Sequence, residues 1–352
     1  MRIVIAILAA AVAATGARAG SAAANSGFVV VADHVAADGK TDVSDALQRL
    51  IEANPNRTLW FPDGTYLLSK PIATPAAPRL SVDLRLSNYA ILKAAPGWTN
   101  AEAMVRLGGI RPANDICTAG SCYSLTGGII DGSGVARGVS IDSGRETRVS
   151  CVSMKNVSVG LHIKRGVNSG SADSDISGVN IVGNGRRGSI GVLVEGHDNT
   201  FSNMRIAGVQ TGVRLSGSNN MLTNVHPLYV NPMDQYEDSV GFADFGHDNS
   251  FDRCYSDHFS TGFLFGKDKN RDRLNACIVF WYDPSKGYRH TAMRSIGAFS
   301  AHVSDMYISF RGTEAENTVL ETGKDGGSGY LRDMVIEGTV GENAKEHLKY
   351  MR

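Results

Sequence analysis

Between Thr147 and Phe310 the chain repeats a pattern without repeating a sequence. VSMKNVSVGLHI from Val152, GVNIVGNGRRGSIGVLV from Gly178, NMRIAGVQTGVRL from Asn203 and RCYSDHFSTGFLF from Arg253 each hold two short segments of alternating apolar and polar residues, joined by a turn of small residues. NVHPLYV from Asn224, followed by GFAD from Gly241, is a further copy, and weaker ones start at Ile278 and Val303. The copies lie about 21 to 31 residues apart, a period that marks a solenoid. Alternation at period two means strands with one buried face. Short strands with no helices between them predict an all-β fold, a single-stranded right-handed parallel β-helix running from about Asn56 to Thr339. Its stacked core would hold Val192, Val194, Val213, Leu215, Phe263 and Phe265. Asn199, Asn220 and Asn249 fall at one place in the repeat, where an internal asparagine ladder would satisfy backbone groups left unpaired by a sharp corner.

The ends divide the chain further. Residues 1–19 carry Arg2, an apolar stretch from Ile3 to Ala14 and an Ala17-Arg18-Ala19 cleavage pattern, which together predict a secretory signal and a periplasmic or extracellular protein without membrane insertion. Residues 20–340 would form the solenoid domain and 341–352 a C-terminal tail. The whole chain has 35 basic and 35 acidic residues. Removing Arg2 and Arg18 leaves 33 against 35, a balance that argues against a nucleic-acid partner. A homo-oligomer is compatible with such a coil. Cys117 and Cys122 bracket a short loop and are expected to be bonded after export, whereas Cys151, Cys254 and Cys277 sit on predicted strands as small buried residues.

Near the mature N-terminus, Val43, Leu47, Leu50 and Ile51 form the apolar stripe of a helix that Asp42 or Ser44 could cap. That helix would cover the open end of the coil. Around it stand Ala37-Asp38-Gly39-Lys40-Thr41-Asp42 and Phe61-Pro62-Asp63-Gly64-Thr65-Tyr66. This segment resembles the start of the pectate-lyase-like right-handed β-helix superfamily, which includes polygalacturonase-related hydrolases, polysaccharide lyases and tailspike enzymes. GGIIDGSG, from Gly127 to Gly134, resembles a glycine-rich rung of that group, with Asp131 read as a turn residue. The resemblance implies a carbohydrate substrate. It does not transfer a polygalacturonase mechanism, because the Asn-Thr-Asp, Asp-Asp, Gly-His-Gly and Arg-Ile-Lys elements are missing. Gly196-His197-Asp198 and Gly246-His247-Asp248 read as turn copies of the repeat, and HIKR at His162 is a poor stand-in for Arg-Ile-Lys.

Same-column side chains on successive rungs stand about 4.8 Å apart, so an outward column is a row of neighbours. Aligning the copies gives one outward column of Lys155, Asn180, Arg205, His226, Tyr255, Trp281 and Tyr307. A second gives Val157, Val182, Ala207, Leu228, Asp257 and Asp283. Tyr229 and His258 flank the turn, Tyr282 adjoins Trp281, and the rung of His226 carries an insertion with Asp234, Glu237 and Asp238. For each residue alone a structural role is the commoner one; together they predict a groove. Asp257, Asp283, Glu237 and Asp234 would supply acid chemistry, with His226 and Tyr255 as bases and Arg205, Tyr229, Asp238, His258, Trp281 and Tyr282 binding the sugar. A glycoside hydrolase with paired carboxylates is favoured narrowly, since the cluster holds more carboxylates than bases. A polysaccharide lyase using His226, Tyr255, His258 and Arg205, and a non-catalytic carbohydrate-binding solenoid, stand as alternatives. No pattern calls for a cofactor or a metal. Asp244 falls on the inward face, where a carboxylate needs partners or a raised pKa.

Overall fold

The computed structural model describes residues 27–75, 80–108, 123–167, 171–266, 270–281, 287–311, 317–341 and 345–352. The proposed signal segment and the Cys117–Cys122 loop lie outside the described residues. Among the described residues every strand pairs in parallel with the equivalent strand of an adjoining coil, in one sheet of 22 strands (sheet A) and one of 10 (sheet B). Each complete coil supplies one strand to sheet B, turns a corner, and then supplies two short strands to sheet A. The coil at 190–207 shows the scheme: Ile190–Val194 lies in sheet B, and Thr200–Ala207 runs through sheet A with a bend at Asn203. At that bend one residue takes a left-handed conformation in coil after coil, as at Cys151, Asn203, Asn224 and Arg253. This places Cys151 on an exposed corner and not in the core, while Cys254 and Cys277 are buried and burial pushes the Cys277 thiol upward.

Inward side chains form one continuous apolar cluster that reaches from Val31 to Tyr350. All six core residues read from the repeat are at most 2% exposed. The helix α1 spans Ser44–Ala53 and joins that cluster through Leu47 and Ile51. Its N-cap is Val43, which offers no side-chain bond. Asp42 acts one residue earlier, accepting from the Ser44 amide and from the Ser69 hydroxyl, and these donors outweigh burial to hold its carboxyl down at about 2. The C-terminal segment is tied to the coil as well, with Tyr350 packed edge-on against Phe299 at 5.2 Å.

The corner between sheet B and sheet A carries the asparagine ladder. Asn199 accepts from the Ser174 amide, Asn220 from the Asn199 amide and Asn249 from the Asn220 amide, at 2.9–3.1 Å. The fourth step is an aspartate: Asp272 Oδ1 accepts from the Asn249 amide at 3.0 Å. Asn249 Nδ2 meanwhile donates to both oxygens of Asp244, which is buried on the inward face. Among the described residues, no amide or hydroxyl reaches Asp272 Oδ2. Its neighbour is the Asp244 carboxyl, so one proton must serve the two acids. Burial, and then the Asp244 charge, push the Asp272 carboxyl up to about 9.

A carboxyl whose folded pKa is raised stabilises the fold fully below its unfolded value, near 4, and that contribution is lost as pH rises toward 9. Asp272→Asn keeps the shape, continues the ladder and removes the titration. Its thermal midpoint should exceed that of the wild type above pH 7, with the gap closing as pH falls toward 4. Equal midpoints at every pH in a denaturation series would show that the two acids do not share a buried proton.

Candidate functional site

Some of the residues read from the sequence as a groove are neighbours in the structure. Arg205 pairs in register with His226, and Leu228 with Asp257, which puts Tyr255 on the rung after His226. The His226 and Tyr255 rings stack at 4.2 Å and 9°, and His226 Nε2 stands 3.3 Å from Asp257 Oδ2. Lys155 belongs to the neighbouring column, opposite Val182. Beyond Tyr255 the column continues through Ile278 to Tyr307. Trp281 is therefore three positions out of register, an odd shift that reverses its face. It is fully buried, donating Nε1–H to the Phe259 carbonyl at 2.6 Å and stacking on Phe310 at 4.9 Å. The next-rung neighbour of Asp257 is Phe280. Tyr282 and Asp283 lie outside the described residues.

The remaining members also take other places. Tyr229 is buried, its hydroxyl on the Pro232 carbonyl at 2.8 Å, and burial pushes the phenol up to about 12. His258 is buried too, in a left-handed conformation, and burial lowers its pKa. The insertion forms a short helix, Met233–Asp238, anchored by buried Tyr236, whose hydroxyl meets His290 Nδ1 at 2.8 Å. Asp234, Glu237 and Asp238 are exposed on it, with Asp238 paired to Arg187 at 2.8 Å. Among the described residues, no hydrogen bond or ion pair joins these three to His226 or Asp257.

A richer constellation sits at a different corner, where sheet B hands the chain to sheet A. There a cleft of about 460 Å³ is lined by Arg165, Glu195, His197, Ser216–Ser218 and His247. The repeat builds it. His197, Ser218 and His247 occupy the same position on three successive coils, since the asparagines two residues later are ladder neighbours. After each histidine comes an aspartate in the left-handed region, Asp198 at φ 56° and Asp248 at φ 58°, a conformation aspartate tolerates. Its carboxylate turns back onto the imidazole: His197 Nδ1 is 2.7 Å from Asp198 Oδ2, and His247 Nδ1 is 2.8 Å from Asp248 Oδ2. A carboxylate only accepts, so Nδ1 is the donor to the aspartate in both rings. Between them the backbone is packed tightly; a Cβ on Gly217 would fall 1.7 Å from the Gly196 carbonyl oxygen.

Sheet B supports this cleft. Glu195 Oε2 accepts from His162 Nε2 at 3.1 Å, and burial keeps His162 below its ordinary pKa and hence neutral. On the preceding coils Asp142 accepts from Arg106, Lys164 and Ser140. Lys164 also bonds Glu102, which this bond above all holds below the usual carboxylate range. Sequence reasoning passed over this face. Two signals were present: His162 alternates with buried Leu161 and Ile163, so it points outward, and Gly-His-Asp-Asn occurs twice at one turn position.

The sequence matches the family described as rhamnogalacturonase A/epimerase, pectate lyase-like, over residues 28–232, more than half of the chain. No curated protein matches it. Among solved structures, the fold is similar to alginate lyase from Paenibacillus sp. str. FPU-7, at 12% identity and TM-score 0.57 over 85% of this chain and 99% of that one. It is also similar to PfbA, a surface adhesin of Streptococcus pneumoniae, at 12% identity and TM-score 0.53 over 89% and 92% of the two chains. A hyperthermoactive exopolygalacturonase from Thermotoga maritima gives 12% identity and TM-score 0.50 over the same shares. At such identities the likeness is one of fold.

Because Trp281 is a core residue, its truncation should be felt in stability. Trp281→Ala should lower the unfolding free energy by about 3–5 kcal/mol, as removal of a buried aromatic does, measured by urea denaturation. A variant as stable as the wild type would return Trp281 to the surface column.

Proposed function

Since the chain belongs to the rhamnogalacturonase A/epimerase, pectate lyase-like family, we propose that it is an exported enzyme cleaving a uronate-containing polysaccharide by β-elimination at the sheet B corner. One observation carries this reading: among the described residues, the titratable groups lining the cleft are two imidazoles, one guanidinium and a single carboxylate. Elimination needs a base for the proton on the carbon bearing the uronate carboxylate, and a cation to hold that carboxylate as negative charge develops. An aspartate-oriented imidazole supplies the first and Arg165 the second. The electron pair left by the proton forms the ring double bond and expels the glycosidic oxygen, which leaves with a proton. Ser216 and Ser218 offer hydroxyls to the sugar. Export rests on residues 1–19, and the sugar polymer is the kind of substrate named for the alginate lyase and exopolygalacturonase that share the fold.

Hydrolysis instead requires two carboxylates on either side of the bond, about 5–9.5 Å apart. Among the described residues that line the cleft, the one carboxylate is Glu195, bonded to His162. At the His226 column, Asp257 is paired with an imidazole. The hydrolytic reading therefore rests on Asp257 acting with Asp283 or with Asp234 or Glu237 of the insertion.

Product chemistry separates the two. On a panel of uronate polysaccharides the purified protein should generate the ultraviolet absorbance of an unsaturated uronate. His247→Gln should lose at least about 100-fold in rate with an unchanged fold, while Asp257→Asn and Glu237→Gln stay near wild type. New reducing ends without that absorbance, abolished by Asp257→Asn, would establish the hydrolase. Tight binding of a polysaccharide with no new ends would establish a binding solenoid.

A further inference from the structure

A second cleft opens on the outer face of sheet A, nearer the N-terminus than the corner site. Its volume is about 600 Å³. Register builds it from two outward columns. Thr58, Asp83, Ser124 and Arg148 are neighbours on successive coils in the first, and Arg85, Thr126 and Ser150 in the second. Arg57 stands beside Thr58 at the edge. Among the described residues that line the cleft there are three guanidiniums and one carboxylate. That carboxylate is engaged from within: Asp83 accepts from Thr58 Oγ1 at 3.1 Å, from Ser124 Oγ at 2.6 Å and from Arg85 Nη2 at 3.2 Å. From this excess of positive charge we infer that the cleft is a second binding site, which holds a stretch of an anionic polysaccharide by its carboxylates, apart from the corner. Naming that polymer as a uronate rests on the function proposed above.

The spacing selects an extended ligand. Arg57 and Arg85 lie one rung apart, and Arg148 lies two rungs beyond Arg85. At about 4.8 Å per rung the three cations span about 14 Å along the axis. A small anion cannot reach across that distance, whereas a chain with a carboxylate on successive sugars can meet all three. A guanidinium takes a carboxylate through two parallel N–H bonds, so each contact also orients the sugar that carries it. Between the cations the floor is made of hydroxyls. Thr126 Oγ1 and Ser150 Oγ stand 3.3 Å apart, and their column continues through Ser177, Ser202 and Thr223. Hydroxyls both donate and accept, which matches the hydroxyls of a sugar chain. A single-stranded nucleic acid would call for aromatic faces on which successive bases stack, and among the described lining residues Phe28 is the one aromatic. Past Arg148 the first column meets Asp175, which ends the cationic stretch on that side.

Affinity electrophoresis in gels containing polygalacturonate, alginate or neutral dextran reads this binding without a need for turnover. Arg85 and Arg148 are both exposed, and Asp83 keeps its bonds from Thr58 and Ser124 when they are replaced, so Arg85→Gln/Arg148→Gln should fold normally, checked by its thermal midpoint. At least one of the two uronate polymers should retard the wild type, less so as salt screens the exposed charges. The double variant should need roughly tenfold more of that polymer for the same retardation. The same loss should appear in an Arg165→Gln background, which separates it from binding at the corner. Dextran should retard none of them. A double variant retarded as strongly as the wild type overturns the inference, and so does a wild type that neither uronate retards. Stronger retardation by single-stranded DNA than by either uronate would give the cleft to nucleic acid instead. The failures are separable: a weakened double variant beside a wild type that makes no unsaturated product keeps the cleft and sinks the elimination reading, whereas an inactive His247→Gln beside an unweakened double variant sinks only the cleft.

Discussion

Everything in this molecule depends on coils lying one rung apart and closing their corners at that spacing. A strand can repeat at about 4.8 Å indefinitely because its hydrogen bonds run to the next coil. A corner turns the backbone away from that ladder, and its amides must be satisfied some other way. Here side-chain oxygens do it, each asparagine of the column accepting from the amide above it. The corner must also be thin. The approach of Gly217 to the Gly196 carbonyl leaves no room for a side chain. At the opposite bend of sheet A a single left-handed residue makes the turn.

That structural requirement also places the chemistry. In Gly-His-Asp-Asn the glycine permits close stacking and the asparagine extends the ladder inside. The two residues between them face outward, where the left-handed aspartate holds the histidine. A turn selected for stacking thus sets oriented imidazoles in a row, at a spacing the fold fixes. Where the row meets Arg165 and Glu195 the surface becomes a cleft. The charged network behind it, from Glu102 through Asp142 to Lys164, ties neighbouring coils of sheet B together.

The fold was legible because its signal is local and redundant. Alternation fixes the inward face of every strand, and the asparagine column fixes the register of the corner, which is why the core residues and the ladder could be named from the sequence. The columns were less secure. From Arg205 to Asp257 the alignment held, since intact copies flank those rungs. At Ile278 the copy is weak, and IVFWYD aligns equally well with its aromatic residue in the place of Tyr255. The strand Ile278–Phe280 settles the register three residues earlier and turns Trp281 inward. The cleft escaped notice for another reason. Its members were recognised as turn copies, which they are, and a turn copy was taken to exhaust their role.

The central claim is one of place: the polymer is bound at the corner lined by Arg165, Glu195, His197 and His247. A crystal structure of His247→Gln soaked with a uronate oligosaccharide tests it most directly. The account predicts a sugar carboxylate against the Arg165 guanidinium, with the carbon that bears it facing residue 247. An oligosaccharide lying instead along Arg205, His226 and Tyr255, with the corner cleft empty, would contradict it.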